Sequence, residues 1–182
     1  MQWMRMWCGM AAVVVIMGSV AGHGQAAPAS AATGPAAEVQ RSYAAVKANV
    51  LKSADKMPAA DYQFKPTPDV RTFARVVNHV TEAQLRSCGA ANRTAVGGMA
   101  KVPAETADKE AIVAALKGSF AECDKAYGAL TEANMTEAFD AFGGKRSRVG
   151  LMWGNVAHDN EQYATLALYL RLKGLPPPSS EK

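Results

Sequence analysis

VGLMWGNVAHDNEQYATLALYLRLK, residues 149–173, carries Leu151, Met152, Val156, Tyr163, Leu166, Tyr169 and Leu170 at spacings that return to one face of a helix. Gly174 follows the last apolar residue, the usual place for a left-handed helix end, and the proline run after Leu175 cannot continue the helix. A helix of this length with one apolar stripe is not stable alone and must bury that stripe against other elements.

Three more stretches supply those partners. Val39, Tyr43, Val46 and Val50 make one face of a first helix that ends near Met57-Pro58. Phe73, Val76, Val77 and Val80 line a second, expected to start at Thr67-Pro68, with the threonine as N-cap and the proline in the first turn, and to reach about Asn92. TAVGGMAKVPAETA, residues 94–107, is a loop by composition. Thr106 or Asp108 then caps a third helix, expected over 109–133, with Ile112, Ala115, Leu116, Phe120, Cys123, Tyr127 and Leu130 on its stripe. NMTEAFDAFGGKRSR, residues 134–148, reads as an irregular connection holding one helical turn. No alternating pattern is long enough to build a sheet, so the expected class is all-α, a four-helix bundle.

The chain has 182 residues, 49% hydrophobic and 20% charged, with a net charge of +4, which fits one domain and excludes collagen-like, disordered and multi-pass membrane classes. No basic block interleaved with aromatics is present, so no nucleic-acid partner is expected. Residues 1–26 have the layout of a secretory signal: Arg5, the uncharged run CGMAAVVVIMGSV, and small residues up to a cleavage site after Ala26. Residues 27–36, APASAATGPA, form a low-complexity tether, and 37–180 the bundle domain. The expected product is exported, periplasmic or secreted, with no stable membrane span after cleavage.

Cleavage removes Cys8 and His23 and leaves Cys88, Cys123, His79 and His158. In an oxidising compartment the cysteine pair reads either as a disulfide or as two buried thiols. A disulfide closing a loop of roughly 35 residues is worth roughly 4 kcal/mol in the chain-entropy model. Cys88 lies nine residues after His79, about 900° of helix rotation, so the two occupy opposite faces.

His79 and His158 sit mid-helix on the second and fourth helices, where facing helices of a bundle bring side chains together on an internal site. Gln162 lies one turn beyond His158 on the same face. Two imidazoles and an amide oxygen are a weak metal set. A rival set replaces the amide by Glu82 and Glu161, each three residues after a histidine; the bland alternative leaves both glutamates solvated. GGKRS is not a phosphate loop, because Arg146 stands where Ser or Thr is required.

VRTFARVVNHVTEAQLRSC (70–88) and NVAHDNEQYATLALYLRLKGLPPPSS (155–180), with AECDKAYGALTEAN (121–134) and DYQFKPTPDVRTF (61–73), resemble the exported branch of the DinB-like proteins. The resemblance spans about Pro35 to Ser180. It implies an up-down four-helix bundle of the DinB-like type. It also implies a divalent transition metal, zinc, nickel, iron or manganese, held by one histidine of helix two and an H-x-x-x-H pair of helix four. His79 and His158 match the first two positions; Gln162 stands at the third. Family activities imply metal-assisted hydrolysis or thiol transfer on an unknown small molecule, and export favours hydrolysis. The alternative is a non-catalytic binding or scaffold bundle that holds no metal, Gln162 marking a decayed site. Whether the bundle pairs into a homodimer stays open.

Overall fold

The computed structural model describes residues 33–94 and 100–181. The expected signal, 1–26, and most of the tether lie outside the described residues. Four helices, α1 (Pro35–Lys56), α2 (Phe73–Asn92), α3 (Lys109–Gly128) and α4 (Arg148–Leu172), enclose one core, and a two-stranded hairpin, β1 (Ala138–Ala141) and β2 (Gly144–Ser147), precedes α4. The fold is all-α apart from that hairpin. Phe73, Ile112, Leu116, Phe120, Met152 and Leu166 are each buried to within 1% of completely. Among the described residues no helix is long and apolar enough to cross a membrane.

Side-chain pairings fix the helix directions. Gln84 meets Ser119 and Cys88 meets Cys123, so α2 and α3 run the same way. Gln40 reaches the end of α3 at the Tyr127 carbonyl while Lys117, earlier in α3, reaches Asp55, so α1 opposes it. Gln84 meets Asp159 and the Tyr169 hydroxyl reaches the Arg71 carbonyl, so α4 opposes α2. The order is up, down, down, up rather than strict alternation. The α2–α3 connection makes this possible by turning back along the bundle: Asn78 Nδ2 donates to the Pro103 carbonyl at 2.9 Å.

The helix boundaries follow local hydrogen bonding. Helix α2 begins at Phe73, not at Thr67-Pro68: Thr72 is the N-cap, its hydroxyl accepting from the Arg75 amide at 3.0 Å. Thr67 instead closes a turn, its carbonyl accepting from the Val70 amide. Helix α3 starts after Asp108 as expected but stops at Gly128, short of Ala133. Asn134 ends it by donating to the Ala129 carbonyl at 2.8 Å while its Oδ1 accepts from the Thr131 amide, a local alternative to helix. Helix α4 ends in a Schellman motif, with Gly174 at φ 74°, its amide on the Arg171 carbonyl and the Leu175 amide on the Leu170 carbonyl.

The 134–148 segment corrects the expected irregular connection. Its strands pair antiparallel, Ala138 with Ser147 through Ala141 with Gly144. Phe142 and Gly143, at φ 53° and 77°, form the two-residue turn with both central residues at positive φ, the form that matches strand twist. Phe139 is buried between the guanidinium groups of Arg93 and Arg148, and Ser147 caps α4 by accepting from the Gly150 amide.

The cysteines of α2 and α3 form a disulfide rather than two free thiols, with Cα atoms 5.0 Å apart and both residues fully buried.

Candidate functional site

His79 comes from the middle of α2 and His158 from the middle of α4, and the antiparallel crossing brings them face to face. Their Nε2 atoms are 3.2 Å apart with the rings edge to face. Each ring turns its other nitrogen toward a carboxylate: His158 Nδ1 lies 3.5 Å from Asp159 Oδ1, and His79 Nδ1 lies 3.7 Å from Glu82 Oε2. Carboxylates favour a proton on both Nδ1 atoms, which points two Nε2 lone pairs at each other. In that tautomer the lone pairs repel unless a cation lies between them; with the proton of one ring on Nε2 the same contact is a hydrogen bond. Burial first, then the charges of Arg71, His158 and Arg75, hold His79 below its ordinary pKa, which disfavours the doubly protonated ring.

Both carboxylates are themselves held. Glu82 accepts a bidentate pair from Arg75, at 3.0 Å on each oxygen. Asp159 is fully buried and accepts from Gln84 Nε2 at 3.0 Å and Asn155 Nδ2 at 3.2 Å; Gln84 in turn accepts from the Ser119 hydroxyl at 2.6 Å. A polar relay thus runs from α3 through α2 to the histidine of α4. Burial pushes the Asp159 carboxyl up, against the opposing pull of His158, Gln84 and Asn155.

Two nitrogens each about 2.0–2.1 Å from one tetrahedral ion stand roughly 3.3 Å apart, so the observed pair fits two positions of a metal's shell. Among the described residues no group of three or more His, Cys, Asp or Glu could complete it. Glu82 is occupied by Arg75, and Glu161 is exposed on the outer side of α4. Gln162 is buried one turn beyond His158, and its amide makes no hydrogen bond to another described residue, which leaves its oxygen available as a weak third donor. It lies outside the wall of the cleft. Asn155 Oδ1, buried at the cleft wall on the other side of His158, also lacks a partner.

The histidines open on a cleft of about 530 Å³ between α2, α4 and the hairpin. Arg71, Arg75 and Arg86 line it from the α2 side and Arg146 and Phe142 from the hairpin. The relay and the arginines were not part of the sequence expectation. Asp159 had a signal: it lies seven residues from both Met152 and Leu166, on the apolar stripe of α4, where a charge must have partners. The arginines had none, since Arg146 reaches the cleft only because the hairpin folds over it.

This is a four-helix bundle with a histidine pair between its second and fourth helices at the floor of a cationic cleft. The model of the DinB superfamily matches residues 13–166, and the chain belongs to that family. Two solved structures share the fold. A DinB-like protein from Bacillus cereus ATCC 10987 is 16% identical, with a TM-score of 0.61 over 77% of this chain and 93% of that one. A DinB-like protein from Bacillus subtilis is also 16% identical, with a TM-score of 0.58 over 75% and 92%. No curated protein gives a significant match.

Proposed function

We propose that this protein is an exported DinB-like metalloprotein that binds a divalent transition metal between α2 and α4 and acts as a hydrolase on a small molecule held in the adjoining cleft. The observation that carries the reading is the histidine pair, two Nε2 atoms 3.2 Å apart with each Nδ1 turned to a carboxylate. His79 and His158 would hold the ion, with the Gln162 amide as the weak third donor. When bound, such an ion polarises a substrate oxygen or lowers the pKa of a water. Asp159 and Glu82 would orient the imidazoles, as carboxylates behind metal-bound histidines do. The buried disulfide supports export, because such bonds persist in oxidising compartments.

A second reading has one observation in its favour. Among the described residues no three His, Cys, Asp or Glu are grouped to hold an ion, which favours a binding or scaffold bundle.

Elemental analysis of protein purified without chelator or affinity metal separates the two. Near-stoichiometric zinc, nickel, iron or manganese, lost in His79→Ala, is the expected result. No metal even after each ion is added would overturn the metalloprotein reading and leave the scaffold.

A further inference from the structure

The cleft has a charge pattern that the histidine pair does not use. Four arginines line it, Arg71, Arg75, Arg86 and Arg146, against one acid, Glu82. Arg75 is neutralised by Glu82. Among the described residues Arg71, Arg86 and Arg146 have no carboxylate partner. Three unpaired guanidinium groups around one concave site raise each other's energy and attract an anion. Their planar forks suit the oxygens of a carboxylate, phosphate or sulfonate.

The second observation is the hairpin tip. Phe142 is 51% exposed, lies under the Arg146 guanidinium at 5.8 Å from its ring centroid, and holds a positive φ that a bulky residue rarely adopts. It lines both this cleft and a neighbouring, more apolar hollow of about 650 Å³ walled by Leu85, Ala90, Val102 and Ala141. Arg86 and Glu82 also border both, so the two spaces adjoin along these side chains. In the hollow Asp140 is paired with Lys145, which leaves the Arg86 side of the boundary cationic. Backbone strain kept at an exposed aromatic between two clefts points to a contact the aromatic makes there.

We propose that the cleft binds a small organic anion with an apolar or aromatic body, its acid group set among Arg71, Arg86 and Arg146 and its body against Phe142, reaching into the apolar hollow. This places the ligand's acid group beside the histidine pair. It rests on the cleft being the substrate site, but its test needs no metal.

The probe is 8-anilinonaphthalene-1-sulfonate, with the uncharged N-phenyl-1-naphthylamine as its comparison, titrated by fluorescence against the purified protein in the presence of chelator. The sulfonate should bind more tightly than the neutral probe and weaken with added sodium chloride. Phenyl phosphate and benzoate should displace it; benzyl alcohol should not. Arg86→Gln and Arg146→Gln should each weaken the sulfonate by roughly tenfold, the size of one charge-assisted contact, and leave the neutral probe unchanged. Phe142→Ala should weaken both probes. These side chains are exposed, so the variants keep the fold, which their thermal midpoints check. Equal affinity for the two probes, or arginine variants that bind the sulfonate as tightly as the parent, would overturn the proposal. Either result leaves the metal assay untouched, so the two readings fail separately.

Discussion

On the proposed metalloprotein reading, Gln162 is the residue on which metal affinity would turn. Its neighbours are already arranged for an ion: the two imidazoles are at the right separation and each is backed by a carboxylate. An amide oxygen is neutral and a poorer donor than imidazole to zinc or nickel. Gln162→His restores the third imidazole one helical turn from His158, and the buried, unpaired amide it replaces gives up no hydrogen bond. Metal affinity should then rise by more than the roughly 10–100-fold that orienting partners alone command. Calorimetric titration with zinc reads this directly, and an unchanged affinity would mean that position 162 does not face the ion. The place of Gln162 one turn beyond His158 was legible because H-x-x-x-Q reads along one helix. The backing carboxylates were only half legible. Asp159 is next to His158 and four residues from Asn155 in sequence, but its remaining donor, Gln84, comes from α2, and no local pattern reports that one.

At the scale of elements, α2 and α3 run the same way, and the disulfide is their covalent tie. Cys88 lies on the face of α2 away from His79 and bonds Cys123 of α3, so the tie holds the helix from the side opposite the histidine. Replacing both with alanine should lower stability by about 4 kcal/mol and the thermal midpoint by roughly 10 °C, with metal content unchanged. Differential scanning calorimetry beside elemental analysis checks both halves, and a midpoint within a degree of the parent would remove the disulfide as a main support. Element positions were mostly readable because apolar spacing is a local signal: the buried faces of α1 and α2 are those the sequence predicts. What failed were ends and exceptions. Thr67-Pro68 has the chemistry of a helix start, but Thr72 lies next to Phe73, whose burial sets where the helix must begin. AFDA and GKRS are too short and too poor in β-branched residues to announce strands, and Phe142 is an unlikely occupant of a turn that favours Asn or Gly. The hairpin is held instead by Phe139 between two arginines, a contact between distant residues.

Across the whole molecule the ionisable groups divide by place, and their division sets how stability depends on pH. Two carboxylates secure the C-terminal end of α2. Glu122 of α3 accepts from Asn92 and from Thr94, each at 2.7 Å, and those bonds hold its pKa below the ordinary 4.5. Glu137 accepts from Arg148 and from Arg93, which hold it low in the same way. A carboxyl with a lowered folded pKa contributes stability that is present above the unfolded value and is lost as pH falls through the folded one. Asp159, raised by burial, has the opposite sign: its contribution is complete below the ordinary 3.8 and declines as pH rises through its raised value. Acid therefore loosens the α2–α3 end while it relieves the buried aspartate at the centre. Glu122→Gln isolates the first effect, since glutamine keeps the shape and an acceptor oxygen but loses the charge. The variant should be less stable than the parent at pH 7, and the gap should close as pH falls below about 4.5 through the lowered folded pKa, because the parent's Glu122 is then neutral as well. Thermal midpoints of both proteins from pH 7 down to pH 2.5 measure it. A gap that stays constant over that range would mean the Asn92 and Thr94 bonds do not depend on the charge of Glu122, and that the acid limb of the stability curve arises elsewhere in the bundle.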